Sequence, residues 1–138
     1  MRLGTLLLLV LCLRATSWTE EASGKPWPVP AHAKARRNPV PARPESIAQG
    51  RKLYRDHCLI CHGPEGRGDG PWMTKLPEPP SKLTPTALRT MSDGEIFWKI
   101  SQGRDLMPGF ERQLGAEQRW HLVNYLRALA QPVEERKR

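Results

Sequence analysis

No run of about 20 apolar residues occurs in the 138-residue chain, which leaves no stretch able to serve as a lasting membrane span. Cysteine is scarce. Cys12, Cys58 and Cys61 are the only three, and none follows Cys61, so a zinc site made of two cysteine pairs cannot be completed. Acidic residues are missing altogether from residues 25–44. There is no internal repeat, and the net charge of +8 comes with no nucleic-acid-binding motif, so nucleic acid is not an expected partner. A glycine-rich stretch, residues 63–70, lacks the Lys-Ser/Thr ending of a phosphate-binding loop and reads as a tight turn.

The chain opens with Met1-Arg2 and a short apolar run over residues 3–13, the positive and hydrophobic parts of a secretory signal. Small residues place an expected cut after Ser17, with Ala22-Ser23-Gly24 as a second site. Residues 1–17 are therefore expected to be a removed signal peptide, and the mature protein to be periplasmic or otherwise exported, with no stable membrane span. Cys12 leaves with the signal; lipidation there is disfavoured by the large Leu11 before it. Losing Arg2 and Arg14 still leaves a basic chain, suited to an acidic partner or an anionic membrane face, although plain solubilising charge explains it equally. Residues 18–44 carry Pro26, Pro28, Pro30, Pro39, Pro41 and Pro44 among Lys25, Lys34, Arg36, Arg37 and Arg43. Proline removes backbone donors and fixes φ, so this segment is expected to be an extended, mobile arm outside any core, for docking or as a spacer.

From residue 45 the pattern becomes helical. Pro44-Glu45 suits a first turn, Ser46 with Gln49 can form a capping box, and Ile47, Gly50, Tyr54 and Cys58 share one face. Residues 76–85 hold four prolines and should be irregular. Ser92 and Glu95 form a second capping box before Ile96, Phe97 and Ile100, with Gly103 as the stop. Residues 116–130 make an amphipathic helix: Leu122, Val123, Leu126, Leu129 and Ala130 on one side, Arg119, Asn124 and Arg127 on the other. Pro132 ends it, and residues 132–138 read as a charged tail.

Cys58-Leu59-Ile60-Cys61-His62 has the C-x-x-C-H spacing of c-type haem attachment. Two thiols three positions apart can add to the two porphyrin vinyl groups, and the adjacent imidazole can ligate the iron. A thiol redox site has the same C-x-x-C core, but would follow a strand, and the residues before Cys58 read as helix. The sixth iron position has three candidates, Met73, Met91 and Met107. Met107 is the best placed, because a helix stops at Gly103 and Pro108-Gly109 stiffens and turns the loop; Met91, just before a helix cap, reads as core. His57, His121 and His32 read as surface residues.

Taken in order, these motifs resemble a class I c-type cytochrome, of the mono-haem bacterial type, over residues 45–131. Gly50, Tyr54 and Cys58 match its N-terminal helix, Leu122, Tyr125 and Leu126 its C-terminal helix, Met107-Pro108-Gly109-Phe110 its ligand loop, and residues 63–71 a G-x-G-D-G-P turn of its bacterial members. The resemblance implies an all-α class I cytochrome c fold in which the two terminal helices cross at Gly50 around one covalently bound haem c. It implies attachment through Cys58 and Cys61, with His62 and Met107 as axial ligands, and the Pro71 carbonyl accepting the Nδ1–H of His62. The middle region is shorter than in the mitochondrial type, which leaves Trp98 and Arg104 as guesses for propionate partners.

A six-coordinate iron has no open site for substrate, so the expected role is an electron carrier rather than an enzyme. Its expected partners are redox proteins, with acidic docking surfaces as the complement to the basic chain. The alternative is a dedicated cytochrome subunit of a periplasmic or membrane oxidoreductase, tethered by the basic arm. A peroxidase-like role is disfavoured, because no second histidine and acid pair is placed to assist peroxide cleavage.

Overall fold

The computed structural model describes residues 26–132. The expected signal peptide, Cys12 and residues 133–138 of the expected tail lie outside the described residues. Among the described residues six helices follow one another: α1 (Ala31–Lys34), α2 (Pro44–His57), α3 (Leu59–His62), α4 (Pro85–Thr90), α5 (Asp93–Gln102) and α6 (Ala116–Leu129), with a 3-10 turn at Met73–Lys75 between α3 and α4. No strand occurs among the described residues; the fold is all-α, as expected.

The two 14-residue helices α2 and α6 form the frame. Pro44 opens α2, where its missing N–H costs nothing. Trp120, Leu122, Val123, Leu126 and Leu129 of α6 are buried against Tyr54, Ile96, Phe97 and Ile100. The frame helices cross at Gly50. A Cβ there would lie 2.7 Å from the Cβ of Tyr125 and nearer still to the His121 carbonyl oxygen, so only a residue without a side chain permits this approach.

Beside the crossing is a buried polar cluster that the helical pattern hid. Ser46 Oγ lies 2.8 Å from His121 Nδ1 and accepts from Asn124 Nδ2 at 2.8 Å. The same amide reaches the carbonyls of Val40 (3.0 Å) and Pro41 (3.3 Å), while Asn38 Nδ2 donates to Asn124 Oδ1 at 2.8 Å. Ser46 therefore caps nothing, and the expected α2 capping box is absent. Three residues expected on a solvent face, Arg119, His121 and Asn124, are instead buried. Asn124 is covered by residues 38–41, whereas Arg119 meets Ser101 and Phe97 of α5 and His121 meets Ser46 of α2, contacts that a helical-periodicity argument does not see. At α5 the Ser92 side chain does accept from Glu95 N, but the Glu95 carboxylate pairs with Lys99 at 2.7 Å.

The covering chain corrects the expectation of an extended, mobile arm. Residues 26–44 pack on the domain: α1 lies against α5, where Gly94 has no room for a Cβ beside the carbonyls of Ala33 and Arg36. Val29 and Ala33 are buried, and the Arg36 guanidinium sits 4.6 Å from the centre of the Phe97 ring. Proline-rich sequence predicts an open backbone correctly, but apolar side chains between the prolines and carbonyls offered to Asn124 fix it in place.

Arg127 joins three elements at the far end. It pairs with Asp93 at 2.7 Å and donates to the carbonyls of Met91 (2.7 Å) and Leu88, so α4, α5 and α6 share one guanidinium. The short helix α4 was not expected; Thr84 caps it through Ala87 N.

Candidate haem site

Helix α2 ends at His57, Cys58 takes a φ of −115°, and α3 adds a single turn. Within that turn the Cys61 and His62 amides donate to the Cys58 carbonyl at 3.2 and 2.9 Å. Both thiols are unpaired and half-buried. Burial pushes the Cys58 thiol up to about 12, with Cys61 adding to the shift, so it is protonated at neutral pH.

The loop after His62 folds back along α3. Gly68, Gly70 and Trp72 donate in turn to the carbonyls of His62 (2.9 Å), Cys61 (3.2 Å) and Ile60 (2.9 Å), satisfying groups that a helix end leaves open. Gly63, Gly66 and Gly68 all have φ between 71 and 76°, and Gly70 touches the α3 backbone. The glycines are explained by backbone wrapping, as a tight turn requires. Tyr54 donates its hydroxyl to the Gly63 carbonyl at 2.7 Å and so ties α2 to the same loop.

His62 is 9% exposed. Burial holds its imidazole below the ordinary value, against the opposing effect of a hydrogen bond to the Ser81 carbonyl, so the ring is neutral. Nδ1–H donates to Ser81 at 3.2 Å, which leaves the Nε2 lone pair for a ligand. The acceptor is Ser81, not Pro71 as the resemblance implied. Pro71 lies on the stretch bonded to the α3 backbone, whereas residues 80–83 reach the ring side: Gly68 abuts the Pro80 carbonyl, and Leu83 N donates to Gly66 O at 2.7 Å.

Met107 closes a tight turn. Arg104 and Met107 exchange backbone hydrogen bonds, each 2.9 Å, around Asp105 at a φ of 53°. Phe110 N donates to Ile100 O at 3.0 Å and Glu111 N to Ser101 O at 3.2 Å, which fastens the loop to the end of α5. The buried Phe110 meets the ring of His57 at 5.7 Å, bringing the Met107 loop beside the residue that precedes Cys58. His57 is therefore half-buried packing rather than surface, while His32 is exposed as expected. Met91 packs against the core and takes a contact from Lys99 Nζ at 3.1 Å; Met73 is 38% exposed in the 3-10 turn. Trp98 meets Trp27, and Arg104 is engaged by Trp27, Asp105 and the Pro26 carbonyl.

Among the described residues four large apolar side chains remain exposed: Ile60, Trp72, Met73 and, at 58%, Leu106. Ile60 belongs to α3, Trp72 is bonded to it, and Leu106 belongs to the Met107 turn. Two thiols at vinyl spacing, a neutral imidazole with one nitrogen already committed, and apolar surface on both loops fit a covalently held porphyrin. They do not fit zinc, since no group of three or more His, Cys, Asp or Glu side chains comes together among the described residues. The Ser81 carbonyl and the Tyr54–Gly63 bond carry no residue-type signal, which is why the sequence did not show them.

Long helices crossing at a glycine, with a Cys-x-x-Cys-His turn packed beside them, define a c-type cytochrome, and haem c is the group that class carries. The family model for cytochrome c oxidase, cbb3-type, subunit III matches residues 45–126, and the chain belongs to that family. It is 41% identical over 81 residues to dihydro-heme d1 dehydrogenase of Pseudomonas aeruginosa, a match covering 57% of this chain and 15% of that protein. Among solved structures it resembles a chain of the reducing HAO-like protein complex of Kuenenia stuttgartiensis, with a TM-score of 0.58 and 28% identity over 67% of this chain and 47% of the other. The chain thus spans less than half the length of either relative. The family supports an electron-transfer cytochrome, either a carrier or part of a redox complex.

Proposed function

We propose that this is an exported, class I mono-haem cytochrome c that carries single electrons between redox proteins. One haem c is held by thioether bonds from Cys58 and Cys61, with His62 and Met107 as axial ligands. The observation that carries the reading is the state of His62: buried, neutral, beside both thiols, with Nδ1 committed to Ser81 and Nε2 free.

Bound there, the iron would supply one-electron Fe(II)/Fe(III) exchange. The chain's part is to fix and shield it. Ser81 sets the plane of the imidazole, Cys58 and Cys61 prevent dissociation, and the Arg104–Met107 turn presents a thioether. A thioether opposite imidazole raises the potential relative to two histidines, as does burial of the ring system. The chain's basic surplus suits partners with acidic docking surfaces, and its N-terminal residues suit export to the periplasm.

The test is the optical spectrum of the purified ferric protein together with its intact mass. A weak far-red charge-transfer band, lost in Met107→Ala, and a mass increment of one haem that survives denaturation are expected. A spectrum without that band in the wild type would refute His/Met ligation.

A second reading, a permanent cytochrome subunit of an oxidoreductase, draws on relatives that are a much longer protein and a member of a complex. Residues 26–44 would not be its free tether, because they pack on their own domain. Stoichiometric co-purification with one partner would favour it over the free carrier.

A further inference from the structure

The segment ahead of α1 reaches the turn that carries Met107. Arg104 donates from Nη1 to the Pro26 carbonyl at 2.9 Å, and its guanidinium lies 4.5 Å from the centre of the Trp27 ring. Lys99 of α5 approaches the same ring at 5.6 Å, and Trp98 meets it edge-on at 6.5 Å. Trp27 is half-buried by these contacts. Arg104 in turn is the residue whose N–H and C=O both pair with Met107.

That backbone pairing closes the turn. Asp105 and Leu106 at its tip are exposed, and Asp105 has a positive φ that L side chains seldom adopt. The loop is anchored on its far side through Phe110 and Glu111, but on its near side Arg104 is the first residue after the α5 stop at Gly103. An aromatic face between two cations is attractive to both, more so where water is partly excluded. The side chain of Arg104 therefore ties the near side of the turn to a segment 78 residues away in sequence.

We propose that Trp27 is a positioning residue for Met107: through Arg104 it clamps the distal-ligand turn closed and limits how readily the thioether leaves the iron. The inference rests on Met107 being the axial ligand. It assigns the proline-rich segment a task at the haem site rather than in tethering or partner docking.

The experiment compares the haem-loaded wild type with Trp27→Ala and Trp27→Phe. Added imidazole displaces a weakly held axial ligand, so its apparent affinity for the ferric protein reads the fraction of molecules with the turn open. Hydrogen exchange at the Arg104 and Met107 amides reads the same opening without reference to the iron. Trp27→Ala is expected to bind imidazole roughly fivefold more tightly and to exchange those two amides faster by a similar factor, with Trp27→Phe close to wild type. The far-red band of the variant should persist in the absence of imidazole. Unchanged imidazole affinity and unchanged exchange in Trp27→Ala, in a protein whose wild type shows the band, would overturn the clamp and leave the His62/Met107 reading standing. Absence of the band from wild type would overturn that reading and the clamp with it.

Discussion

Replacing Gly50 by alanine isolates the helix crossing on which the fold depends. Ordinary van der Waals contact begins at 3.4 Å, and the new methyl group would stand 2.7 Å from Tyr125 Cβ and closer to the His121 carbonyl oxygen. Both obstacles are backbone or the first carbon of a side chain, so neither can rotate away. The helices must part by at least about 0.7 Å, and overpacking of this kind costs about 1–3 kcal/mol. Parting also stretches the 2.8 Å contact between Ser46 and His121, adding about 1 kcal/mol. Alanine in place of glycine within a helix returns about 1 kcal/mol through backbone entropy. The net loss is about 1–3 kcal/mol, which for a domain of this size lowers Tm by roughly 5–20 °C. The assay is thermal unfolding of the haem-loaded protein followed by far-UV circular dichroism, with Gln49→Ala, exposed on the same helix, as the control. A Gly50→Ala protein as stable as that control would refute the close crossing.

Asn124→Leu removes the hub that holds residues 38–41 to the frame and should cost about 2–4 kcal/mol, seen as a lowered urea midpoint and faster proteolysis ahead of α2; unchanged cleavage would count against a docked N-terminal segment. Tyr54→Phe strips the donor from the buried Gly63 carbonyl and is expected to lose about 1–2 kcal/mol in chemical denaturation, with faster amide exchange in the loop over residues 63–72. Arg127→Lys keeps the charge but cannot reach Asp93, Leu88 and Met91 together, so a drop of about 1–2 kcal/mol is expected; equal stability would show that the guanidinium fork is dispensable.

The attachment motif and the long helices were legible because each is local. Cys58, Cys61 and His62 fall within five adjacent positions of chain, and the apolar spacing of Leu122, Val123, Leu126 and Leu129 declares a helix wherever it is met. The course of residues 26–44 was not legible. Proline predicts backbone conformation and says nothing of what packs against it, and the carbonyls that bind Asn124 belong to Val40 and Pro41, whose side chains give no hint of it. The misplacing of Asn124 follows from the same cause, and that of His121 from its partner Ser46 on α2: a helix has a third side when another segment covers it, and amphipathic pattern recognises two. The exchange of Pro71 for Ser81 as the imidazole's acceptor is of another kind, since every residue carries a carbonyl and only the path of the loop selects one.

That last selection has a genetic consequence. Ser81 is exposed and contributes only its main chain, so any residue at position 81, proline included, retains the acceptor on which the His62 ring leans. No single side-chain deletion can remove it. Variation at position 81 would look neutral in a mutational scan although the His62 ring is oriented there, and sensitivity should surface at Gly68 and Gly66, whose lack of side chains lets residues 80–83 lie close enough to matter.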